Sequence, residues 1–157
     1  MVATQKLTTH AQASEVASNL QPVLTDLLAL TLNLKQAHWH VRGRHFTPVH
    51  ELIDAVVDDA RTYSDEVAER VVALGVAVDG RPETVADKTS LPHLAEGFLT
   101  DDKIVAAVLE QLDAAIEAAR ATLDPLDKAD PVSQDIVIEL LRALEKHRWM
   151  FAAQTAS

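Results

Sequence analysis

The chain has 157 residues, 48% of them hydrophobic, enough for one domain with a sizeable core and too few for a multidomain enzyme. It contains no cysteine, which excludes disulfide frameworks, thiolate zinc sites, iron–sulfur clusters and cysteine nucleophiles. Fourteen Lys and Arg against 24 Asp and Glu give a net charge of −10, which repels phosphate backbones and attracts cations. Only 4 glycines and 4% aromatics disfavour strands and turns, whereas the abundance of Ala, Leu, Glu and Asp favours an all-α fold.

Residues 1–18 show no sustained apolar periodicity and read as a flexible tail, with residues 19–157 as a single domain. Neither a secretory segment nor an apolar run of roughly 18 residues is present, so a soluble cytoplasmic protein is expected. Asn19 is a candidate cap, with Pro22 in the first turn after it. Leu20, Val23, Leu24, Leu27, Leu30, Leu34 and Ala37 then carry a first helix that ends near Gly43. Thr47-Pro48 signals the start of a second helix, whose apolar positions run from Val49 through Ile53, Val56, Ala60, Val67 and Val71 to Gly75.

Residues 75–99 hold Gly75, Gly80, Pro82, Pro92 and Gly97, and predict a long crossover with one short helix around Glu83 to Asp87. Thr100 with Asp101 and Asp102 opens a third helix that Asp124-Pro125 ends, and Asp130-Pro131 opens a fourth. Four long helices with one long connection between the second and third describe a ferritin-like four-helix bundle.

No Glu is followed three residues later by His, so the usual di-iron signature of a bundle interior is missing. Helix two instead carries His50, Asp54, Asp65 and Glu69, whose steps of 4, 11 and 4 residues turn by about 40°, 20° and 40°. All four share one narrow stripe, yet Asp54 and Asp65 are about 16 Å apart along the axis, far beyond the reach of one metal. An antiparallel second copy would bring the His50/Asp54 end of one chain beside the Asp65/Glu69 end of the other. His38, at the end of helix one, is placed to join the His50/Asp54 half. Such a mixed nitrogen and oxygen set suits Fe(II), Mn(II) or Zn(II). The same residues also permit a salt-bridged surface, in which Arg61 pairs with Asp65 and Glu66 with Arg70 at four-residue spacing.

The segment Lys35 to Asp54, K-Q-A-H-W-H-V-R-G-x-x-F-x-x-V-H-x-L-x-D, followed by D-x-x-A-E-R-x-x-x-L-G from Asp65 to Gly75, resembles the Dps family of miniferritins. The resemblance extends over the whole chain from about residue 19. It implies a ferroxidase centre formed by His38, His50 and Asp54 of one subunit with Asp65 and Glu69 of its two-fold mate. It further implies a hollow dodecamer that oxidises Fe(II), preferably with hydrogen peroxide, and stores the ferric mineral. Trp39 would lie near the iron, where it could intercept oxidising equivalents or serve as an interface aromatic. Asp124, Asp127, Asp130 and Asp135 cluster before and within helix four, where related proteins line a pore that admits iron. Asp130 and Asp135 fit that position, and Asp130 is also a plain helix cap.

His40 lies about 200° around the helix from His38 and reads as a polar or interface residue, whereas His10, His45, His93 and His147 read as structural or solvated. DNA-binding relatives often carry a basic tail, but residues 1–18 contain only Lys6, so DNA binding should be weak or absent. Two other classes fit less well. One is a hydrolase using metal-activated water at the same interface, and the other is a DNA-coating protein, disfavoured by the charge.

Overall fold

The computed structural model describes residues 9–155. Its elements are α1 (His10–His40), β1 (Val41–Arg42), α2 (Phe46–Ala73), α3 (Pro82–Lys88), β2 (Leu99–Thr100), α4 (Asp101–Arg120), α5 (Leu123–Ala129) and α6 (Pro131–Ala152). The four long helices α1, α2, α4 and α6 are the four expected from periodicity. Leu30, Leu34, Ile53, Val56, Ile104, Val108, Leu112, Leu140, Leu144 and Phe151 are wholly shielded from solvent and form one core between them. Among the described residues no helix is long and apolar enough to cross a membrane.

The first helix departs from expectation. It begins at His10, so residues 10–18 are helical where a flexible tail was expected, and Ala13, Val16, Ala17 and Leu20 are buried on one face. The part of the expected tail in residues 1–8 lies outside the described residues. The cap is Thr9 rather than Asn19. Its hydroxyl accepts from the Gln12 backbone N–H, and the Gln12 side chain accepts from the Thr9 N–H. Pro22 therefore sits inside the helix on an exposed position, where its missing N–H removes one helix hydrogen bond.

Two further boundaries shift. Helix α2 starts at Phe46, ahead of the Thr47-Pro48 signal, which puts Pro48 at the third helical position where its missing N–H costs no helix bond. Helix α4 ends at Arg120, and Asp124-Pro125 lies within α5, an additional short helix, with Pro125 again at a third position. Asp130 and Pro131 do cap and open α6, the Asp130 carboxylate accepting from the Ser133 N–H.

The crossover contains α3 as expected and is fastened to the bundle by buried polar groups. Asp26, only 3% exposed, accepts from Thr89 Oγ1, Ser90 N and Ser90 Oγ at 2.6–2.8 Å. The Gln21 amide exchanges two hydrogen bonds with the Asp79 backbone, and Gln111 bridges Asn33 to the Pro92 carbonyl. At its end, a two-residue parallel pairing sets Val41 beside Leu99. This fixes the α1–α2 turn. Gly43 there has φ +142° and a Cβ would lie 2.6 Å from the Asp101 Cγ, so only glycine lets the Asp101 carboxylate reach the His45 N–H.

Candidate metal centre between subunits

The end of α1 and the start of α2 bring His38 and His50 together. Their rings stack with centroids 3.5 Å apart, and Nδ1 of each is bonded to the backbone carbonyl of the other, at 3.0 and 2.9 Å. A ring that donates Nδ1–H to a carbonyl carries its lone pair on Nε2, the tautomer suited to metal ligation. Neither Nε2 is hydrogen-bonded to another described residue. His38 is 6% exposed, whereas His50 is only half-buried.

Asp54, one turn along α2 from His50, completes this half. Its Oδ1 lies 3.2 Å from His38 Nδ1 and accepts from Lys35 Nζ at 2.7 Å. That bond, with the nearby positive charge, holds the Asp54 carboxyl below the ordinary carboxylate range. Lys35 is a neighbour that helical spacing did not single out, because it reaches Asp54 from a different helix.

Asp65 and Glu69 are exposed on α2 and make no ion pair or hydrogen bond with another described residue. The expected Arg61–Asp65 and Glu66–Arg70 pairs do not form; Arg70 turns instead to Asp130. The salt-bridged surface is thus not what these residues build. Within one chain, the described residues gather no set of three or more His, Asp or Glu side chains able to hold an ion. Trp39 is 63% exposed next to His38, and Phe46, 42% exposed, packs its ring 4.8 Å from that of His50. Leu32, 65% exposed, borders a shallow cavity with Arg61 and Ser64 near the Asp65 end. The His50, Asp54, Asp65 and Glu69 stripe is therefore bordered by uncovered apolar side chains at both ends.

The other candidates separate. Asp130 accepts at Oδ2 from Arg70 and Ser133 and acts as the α6 cap, while Asp135 is exposed. His40 bonds Gln36 and the Gly97 carbonyl and lies 5.2 Å from Phe98, a polar bracket for the crossover. His147, 6% exposed, has Nε2 2.7 Å from Asp59 Oδ2 and joins α6 to α2. That pair spans 88 residues and leaves no local signal in the sequence.

A profile of the ferritin-like domain matches residues 17–157. The DNA protection during starvation protein of Mycolicibacterium smegmatis is 38% identical over 151 residues, spanning 93% of this chain and 80% of that protein. The fine tangled pili major subunit of Haemophilus ducreyi is 36% identical over 145 residues, 92% of this chain and 77% of that one. Among solved structures, Dps from Microbacterium arborescens in the high iron form is 42% identical. It superposes with a TM-score of 0.92 over 96% of this chain and 99% of that one.

Proposed function

The chain belongs to the Dps family of ferritin-like miniferritins, and we propose that it oxidises Fe(II) with hydrogen peroxide at centres shared between two subunits. The ferric product is stored inside a hollow shell of twelve copies in the cytoplasm. The observation that carries this reading is the His38–His50 clasp beside Asp54, with Asp65 and Glu69, which have no partner among the described residues, farther along the same helix. One copy leaves both halves incomplete, about 16 Å apart, and a two-fold mate completes each. The exposed Leu32, Trp39 and Phe46 beside the stripe are surfaces that such a mate covers.

In the completed site two imidazoles and three carboxylates bind iron as substrate, a donor set suited to a hard, oxidisable divalent ion. Two Fe(II) ions each give one electron to a single peroxide, whose O–O bond breaks. With two protons, two water molecules form beside two Fe(III), and no hydroxyl radical is released. Trp39 is positioned next to this chemistry. Asp135, with the Oδ1 of Asp130 that no described residue engages, supplies carboxylate at the start of α6 for incoming iron. Protection of DNA then comes from removing Fe(II) and peroxide, because a chain of net charge −10 makes few phosphate contacts. Plasmid mobility at low salt near neutral pH should be unchanged by the protein.

The test is anaerobic Fe(II) titration followed by peroxide, with absorbance, released radical and particle mass recorded together. Stoichiometric peroxide use, little radical and a particle near twelve times 17.1 kDa are expected. Absence of Fe(II) binding or oxidation would reduce the His, Asp and Glu set to a structural interface.

A further inference from the structure

Lys35 is the group that the proposed centre does not explain. Its Nζ is 2.7 Å from Asp54 Oδ1, the oxygen that also lies 3.2 Å from His38 Nδ1, whereas Asp54 Oδ2 has no partner among the described residues. The Lys35 side chain is 24% exposed, so its charge is only partly screened by water. An ammonium has three donors and no lone pair, and cannot itself ligate a metal. A fixed cation therefore stands within the site that is proposed to collect cations, and any iron that takes Asp54 shares the carboxylate with it.

We infer that Lys35 is a positioning residue that serves as an internal counter-cation. It holds Asp54 as a one-oxygen ligand through Oδ2 and lowers the affinity of the centre so that ferric product moves on to storage. This rests on the iron reading of His38, His50 and Asp54. The three carboxylates of a completed site carry three negative charges, and Lys35 offsets one of them. Repulsion from a fixed charge scales with the charge of the ion. It is thus half as strong again for Fe(III) as for Fe(II), and the ammonium discriminates against the product.

The test uses Co(II), a redox-inert probe, titrated calorimetrically into the assembled protein and into K35M, K35Q and K35R. Thermal melts of each variant report folding. K35M and K35Q, which lack the charge, should bind Co(II) about tenfold or more tightly, whereas K35R, which keeps it, should bind as the parent does. In a separate peroxide experiment, K35M should complete a first round of Fe(II) oxidation and slow in the second, as Fe(III) lingers. Unchanged or weaker Co(II) binding in folded K35M and K35Q would overturn the role of Lys35. If the parent itself binds no Co(II), the reading of the centre fails and the inference falls with it.

Discussion

Arg70 donates to a single oxygen of Asp130 from Nε at 3.2 Å and from Nη2 at 2.6 Å, tying α2 to the first turn of α6. Ser133 donates to the same oxygen through its backbone N–H, and both charged side chains are about 15% exposed. Removing one member of such a pair strands the other in a largely dry setting. R70M should cost about 2–4 kcal/mol in urea unfolding. A loss below about 0.5 kcal/mol would show that the pair behaves as a solvated surface bridge.

Acid should destabilise the protein through the same carboxylate. Burial works to raise the Asp130 pKa, but the bonds from Ser133 and Arg70 outweigh it and leave the group below its ordinary value. Asp54 is lowered chiefly by Lys35, and Asp79 by Arg81 and Thr84. A carboxylate with a depressed folded-state pKa contributes stability above its unfolded value, about 3.9. That contribution is lost as pH falls through the folded value. The urea midpoint should therefore hold above about pH 5 and drop below about pH 4, less steeply in R70M. An equal slope in both proteins would remove Asp130 from the account.

The crossover depends on Asp26. D26A leaves the Thr89 and Ser90 donors without their buried acceptor and should cost about 3 kcal/mol. Hydrogen exchange at Ser90, whose N–H is bonded to Asp26 Oδ1, should quicken more than exchange in α6. Uniform acceleration across the chain would mean that Asp26 supports the whole bundle instead of this connection.

Periodicity located the four long helices because their apolar faces repeat over many turns. The start of α1 was hidden because Ala13 and Ala17 are weak apolar signals, although Thr9 and Gln12 do spell a capping box. Helix α5 was missed because Pro125 reads as a breaker, while at a third helical position it removes no bond. That His50, Asp54, Asp65 and Glu69 share one face of α2 was legible because a fixed turn per residue converts spacing into direction. Lys35–Asp54, Arg70–Asp130 and Asp59–His147 were not, since each joins two helices whose relative placement no local pattern records.

The central claim is that each centre is shared by two chains, and complementation addresses it most directly. One variant carries H50A and D54N, the other D65N and E69Q; the acid pair is exposed, so its melting temperature should stay near that of the parent. Alone, each should fold and fail to oxidise Fe(II) with peroxide. After co-refolding, random pairing makes about half of the dimers mixed, each with one intact site, so about a quarter of the parent activity should return. Activity that stays absent in proven mixed dimers, or that survives in either variant alone, would contradict the shared centre.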